Sequence, residues 1–146
     1  MFRTAEYMKI TKTKDLKVSI WNIKRMYKLR VFNVTEMYMD GEFEYIRGIL
    51  ADIGIKLNVY FREDHIPWAK RNIRTIKDIV RCVLNMLPFK KVLSRMLINV
   101  VYSSVFWLNA FPCKNVVSNQ LSPRLIVTDN NIDYNKHYNL KYGQYV

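Results

Sequence analysis

Two cysteines, Cys82 and Cys113, are too few for a disulfide framework, and neither stands in a CxxC or Cys/His spacing that would hold zinc. Reduced, intracellular thiols follow as the expectation. His65 and His137 are isolated, and no serine or cysteine has a neighbouring base to activate it, so no nucleophilic dyad or triad is recognisable. Glycine occurs only 4 times and forms no phosphate-cradling loop. Long apolar runs are missing as well. Residues 96–111 are broken by Asn99, Ser103, Ser104 and Asn109 and fall short of the roughly 20 residues of a membrane span. The opening MFRTAEYMKITKTK has no apolar stretch of the kind a secretory signal needs, which leaves the sequon Asn33-Val34-Thr35 without a glycosylating compartment.

Acidic residues are the other scarce class, 12 against 24 Lys and Arg, which gives a net charge of +12. Such a surface attracts polyanions whatever its fold. Nucleic acid is the expected partner, although anionic lipids and acidic proteins would feel the same field. With 50% apolar and 14% aromatic residues, the chain has enough apolar surface to offset the entropy of ordering. Its 146 residues suit one domain that buries about two-thirds of the surface its unfolded chain exposes.

A polar, Lys-rich extension over residues 1–14 is expected to fray. Beyond it, Leu16, Ile20, Ile23 and Tyr27 recur at helical spacing, with Lys17, Lys24 and Lys28 on other faces, and predict a helix over 15–31. Residues 34–39 read as a strand. Residues 44–53 read as a helix closed by Gly54, and 55–61 as a second strand in which Ile55, Leu57 and Val59 alternate with Lys56, Asn58 and Tyr60. Strand, helix, strand predicts a βαβ unit with parallel strands. Pro67 suits a first helical turn, after which Ile73, Ile76, Val80, Val83, Leu84 and Leu87 mark one apolar face until Pro88. A further helix is expected over 90–111. From about 112 the chain turns irregular, with NVVSNQ and TDNNIDYNKH as loops and residues 122–128 as a short helix. Two strands make a thin sheet.

Two groups of residues could carry chemistry. In VTEMYMDGEFE, residues 34–44, Asp40 ends a strand at the place where a carboxylate can hold a divalent cation, with Glu42 and Glu44 close behind. Two-metal phosphoryl transfer needs two or three converging carboxylates around ions about 3.5–4 Å apart. Neighbours leaving a strand point in different directions, however, and negative charge at a helix start is also explained by the helix dipole. Glu63 and Asp64 could approach Asp40 or could cap the following helix. The second group is Lys70, Arg74, Lys77 and Arg81, which fall within about 60° of one another on a helical wheel and, with Arg71, form a basic stripe. Such a stripe suits nucleic-acid contact or a solvated helix face. For Tyr102, Phe106, Trp107 and Phe111, core packing is the expectation over base stacking.

Three motifs in register resemble one family. Ala69-Lys70-Arg71-x-x-Arg74-Thr75 looks like the AERxxRT segment of copia-type retrotransposon integrases. VFWLNAFPCK (105–114) and SPRLIVT (122–128) resemble that family's YLLNRLPxK and TPxELLT signatures, and residues 34–44 match its strand with the second catalytic aspartate. The resemblance covers roughly residues 17–146 and implies a ribonuclease H-like α/β fold that performs DNA integration by Mg²⁺-assisted transesterification with two aspartates and a glutamate. Carried over, it makes Asp40 the second aspartate and the one remnant metal ligand, and places Lys70 where the glutamate belongs. An ammonium there repels Mg²⁺ and cannot serve as an oxygen ligand.

The strand bearing the first aspartate should precede residue 15, where only the polar extension stands. The expectation is therefore a truncated ribonuclease H-like fold: two parallel strands in a βαβ unit with about four helices, the first three strands missing. It further implies an inactive relic with no cofactor beyond an ancestral Mg²⁺ and with non-specific DNA binding through Lys70, Arg71, Arg74, Lys77 and Arg81. The strand carrying Asp40 would have an open edge, able to self-associate or pair with full-length integrase. No membrane association is implied.

Overall fold

In the computed structural model, α1 (Thr13–Lys28) buries Leu16 and Ile20 and half-buries Ile23 and Tyr27, one stripe of an otherwise polar helix. Residues 1–9, 12–60, 67–89, 91–112 and 118–137 are described. The chain divides into two compact units, one of Glu6–Pro67 and one of Met1–Ala5 with Trp68–Val146.

In the Glu6–Pro67 unit, β1 (Glu36–Asp40) leads into a 3-10 helix (Gly41–Ile46), which passes directly into α2 (Arg47–Asp52), and β2 (Lys56–Tyr60) follows. The two strands pair in parallel, from Glu36 opposite Lys56 to Asp40 opposite Tyr60. The expected βαβ unit is present, and the segment foreseen as one helix over 44–53 is divided between 3-10 and α geometry. Strand alternation sends Met37, Met39, Leu57 and Val59 toward the core and leaves Glu36, Tyr38 and Asp40 exposed. Ile46, Leu50, Ile55 and Leu57 complete that core with Leu16 and Ile20.

Gly54 ends α2 with φ +70, as its position after the helix led one to expect. The Ile55 N–H reaches the Leu50 carbonyl and the Gly54 N–H that of Ala51, both at 2.9 Å, so two orphan carbonyls are satisfied while Leu50 and Ile55 meet in the core. Lys24 adds a bond from its ammonium to the Ile53 carbonyl.

The end of α1 uses the same hydrogen-bond pattern with a different residue. Phe32 N–H bonds the Tyr27 carbonyl and Val31 N–H that of Lys28, each at 3.2 Å, which puts Val31 at φ +67. A β-branched side chain in this region crowds its own carbonyl, and Val31 is 96% exposed, so no burial offsets the strain. Val31→Gly is expected to stabilise the protein by about 1 kcal/mol, relief of the left-handed strain exceeding the entropy lost with glycine. Val31→Ala, which keeps the Cβ, should give little of that gain in denaturant unfolding. Equal effects of the two substitutions would rule out strain at this position.

In the other unit, α3 (Pro67–Met86) and α4 (Ser94–Ala110) are joined by α5 (Pro123–Thr128) and α6 (Tyr134–His137). Val80, Val100, Val105, Ala110, Val127 and Ile132 are its buried apolar residues. The Ser104 hydroxyl is satisfied by the Val100 carbonyl at 2.7 Å. Ser122 caps α5 by accepting from the Leu125 N–H at 3.1 Å, with Pro123 in the first turn.

Several expectations need correction. Six α-helices, not about four, occur among the described residues. Two exceed that number: α5, foreseen as a short helix over 122–128, and α6, inside the stretch TDNNIDYNKH foreseen as loop, where the Asp133 carboxylate accepts from the Lys136 N–H at 3.3 Å and starts a single turn. Ile73, assigned to the apolar face, is exposed because it borders the cationic row. Tyr102 and Phe111 are exposed too, whereas Phe106 and Trp107 are half-buried. The chain start is not frayed at Arg3. Its N–H donates to Asn109 Oδ1 at 2.9 Å and its carbonyl accepts from Asn109 Nδ2 at 2.7 Å, so the buried amide closes a two-bond pair with the main chain. The Arg3 guanidinium continues to Asn72 Oδ1 at 3.0 Å.

Candidate nucleic-acid interface and the carboxylates of β1

Helix α3 holds Lys70, Arg71, Arg74, Lys77 and Arg81, and all five are exposed. The apolar face of the helix, with Val80 buried and Ile76, Val83 and Leu84 half-buried, settles which side points outward. At 1.5 Å per residue, Lys70 to Arg81 covers about 16 Å of helix axis. Duplex DNA carries about ten phosphate charges over such a length.

The row is not purely cationic. Asp78 pairs with Arg81 at 3.0 Å and lies 3.9 Å from Arg74. Sequence reasoning passed over this carboxylate, although its place four residues after Arg74 and three before Arg81 was legible by counting. Exposed pairs of this kind contribute about 0–1 kcal/mol, so both guanidiniums can exchange Asp78 for a phosphate at small cost. Thr75 turns its hydroxyl to the Arg71 carbonyl at 2.9 Å and stays within the helix. The sequence reading also did not single out Trp68, one residue into the helix and exposed.

Asp40 belongs to the other unit. It closes β1, is exposed, and precedes the 3-10 helix without capping it through its side chain. Beside it an open depression of about 580 Å³ is lined by Gly41, Glu44 and Arg47 on one side and by the β2 residues Lys56 to Val59 on the other. Glu44 takes a two-point grip on Arg47, at 2.5 and 2.9 Å, and Arg47 donates onward to the Leu57 carbonyl at 3.0 Å. The Arg47 hydrogen bond holds the Glu44 carboxyl below the usual carboxylate range, and the same contact raises Arg47. On the exposed sheet face, Glu36 accepts from Tyr38 at 2.9 Å and from Asn58 at 3.0 Å, and the Tyr38 phenol is raised chiefly by that bond to Glu36.

Two of the described carboxylates near β1 are held by other partners. Glu44 is held by Arg47 and Glu36 by Tyr38 and Asn58, and among the described residues no three His, Cys, Asp or Glu side chains converge. Glu63, Asp64 and His65 lie outside the described residues, as does Cys113. Among the described residues, the Asp40 end of β1 offers two exposed carboxylates, Asp40 and Glu42, beside the Glu44–Arg47 pair.

An aromatic cluster occupies the α4–α6 side of its unit. The Arg124 guanidinium lies 4.7 Å from the Phe106 ring centre, and His137 stacks on Phe106 at 5.4 Å. Trp107 meets Phe106 edge-on at 5.3 Å. These contacts tie the short helices to α4 and support the core reading for Phe106 and Trp107. Among the described residues, no helix is long and apolar enough to cross a membrane. No protein-family model and no curated protein sequence matches this chain.

Proposed function

We propose that this chain is a sequence-independent nucleic-acid-binding protein related to the ribonuclease H-like core of copia-type integrases, and that it does not itself catalyse DNA integration. The row of five exposed cations on α3, interrupted by a single carboxylate, carries the reading. Cations spaced along a helix neutralise phosphates and release counterions, which gives affinity without base readout. The motif resemblance supplies the ancestry, and Lys70 at the glutamate position argues against Mg²⁺-dependent strand transfer.

Binding to a labelled duplex should fall steeply with salt, with a log–log slope of about −0.9 for each phosphate neutralised, so roughly −4.5 if all five cations engage. Scrambled duplexes should bind equally. A folded sample that fails to bind at low salt, or whose affinity ignores salt, removes the proposal. Mg²⁺ should produce no nicking, and Asp40→Ala should leave binding unchanged.

A second reading rests on the sheet. Among the described residues β1 pairs only with β2, which leaves its other edge open for a second copy or for an intact integrase. Sedimentation that shows one mass over a wide concentration range, with no uptake of added integrase, would dismiss it.

A further inference from the structure

Trp68 is the most solvent-exposed of the three tryptophans, with 70% of its surface open. Trp21 lies under the Arg25 guanidinium at 5.6 Å, and Trp107 packs against Phe106 and Phe111. Among the described residues no ring or guanidinium lies against Trp68, whose carbonyl accepts from Asn72 at 2.7 Å. Arg71, three residues on, is its neighbour on the helix surface, and Arg74 stands one turn beyond Lys70. An uncovered indole therefore opens a row of cations.

Building on the cation-row reading, we infer that this end of α3 binds single-stranded nucleic acid in preference to duplex, one base stacking on Trp68 while Lys70, Arg71 and Arg74 take the flanking phosphates. In a duplex the base faces are covered by their neighbours, so the indole gains nothing there; a splayed strand presents both a π-face and a phosphate within reach. An exposed tryptophan beside cations could also suit an anionic membrane. That occupant needs a continuous apolar face, and on α3 Val80 is buried and Ile76, Val83 and Leu84 are half-buried, while the large exposed apolar side chains, Trp68, Ile73 and Met86, are too far apart around and along the helix to form one. Trp68 is the one aromatic ring of α3, which matches one base.

The experiment compares the full chain with Trp68→Ala and Trp68→Phe by fluorescence anisotropy, using a labelled oligo-dT strand and a duplex of equal length at low salt, with phosphatidylserine vesicles in a parallel arm. The strand should bind more tightly than the duplex. Trp68→Ala should weaken strand binding about tenfold and leave duplex binding nearly unchanged, and Trp68→Phe should recover most of the loss. Trp68 is exposed, so the variants should keep the wild-type circular dichroism spectrum. Equal loss for strand and duplex, no loss for either, or a Trp68-dependent attachment to vesicles with strand binding intact would each overturn the inference. If neither nucleic acid binds the wild type, the cation-row reading falls with it. If both bind equally and Trp68→Ala changes nothing, only the single-strand preference falls.

Discussion

Replacing Lys70, Arg74, Lys77 and Arg81 together by alanine is expected to flatten the salt dependence of duplex binding by roughly 3 to 4 log units per log unit of salt, because each phosphate contact contributes about 0.9. Affinity at low salt should fall by orders of magnitude. The helix itself should survive the change, since alanine is the strongest helix former and the pairs lost with Asp78 are solvent-exposed. Circular dichroism can therefore separate lost binding from lost structure. The reverse substitution gives the opposite sign: Asp78→Asn removes the carboxylate that competes for Arg74 and Arg81, and should tighten binding and steepen the slope. Lys70→Glu, which puts a carboxylate in the row, should weaken binding more than Lys70→Ala. A quadruple variant that binds as well as the wild type would place the interface elsewhere.

Leu50→Ala is the substitution with the largest expected effect on folding. Leu50 is fully buried, and it occupies the place where α2 ends against the core. Its carbonyl receives the Ile55 N–H and its side chain shares one apolar cluster with Ile55, so truncation removes both the core volume and the contact that accompanies the helix stop. A buried Leu→Ala change costs about 3 to 5 kcal/mol where the site cannot collapse. Domain stabilities are commonly about 5 to 15 kcal/mol, so the Glu6–Pro67 unit should lose most of its margin. Urea unfolding should shift accordingly, and amide protection along β2 should drop sharply in hydrogen exchange. Leu16→Ala, at a residue slightly open to solvent, should cost less. A loss below about 1 kcal/mol for Leu50→Ala would contradict a closed core at this point.

Much of the local structure was legible beforehand, for reasons that individual residues show. Leu16 and Ile20 stand four apart and are buried together. Gly54 was marked as a helix stop because few other residues tolerate its backbone angle. Ser122 and Pro123 announced α5 by their capping chemistry. Where sequence reading failed, the deciding partner was of a different kind. Asp133 starts an extra turn that Asn-rich composition concealed. Val31 takes a glycine's conformation against its own preference, because the hydrogen bonds that close α1 require it.

The candidate sites divide along the same line. Five cations on one helix, and the carboxylate at position 78 among them, are determined by the sequence alone, because a period of 3.6 residues converts spacing directly into direction. So is the chemical character of position 70, an ammonium at the start of that row. Tertiary structure alone decided that Arg47, three residues after its partner Glu44, also bonds the Leu57 carbonyl, and that Asn109 closes on the main chain of Arg3, 106 residues away. It alone also decided that Trp68 stays in solvent while Trp107 does not. Backbone geometry fixes which residues share a face. Which face is covered, and which polar group meets which, depends on packing between segments whose distance in sequence carries no such information.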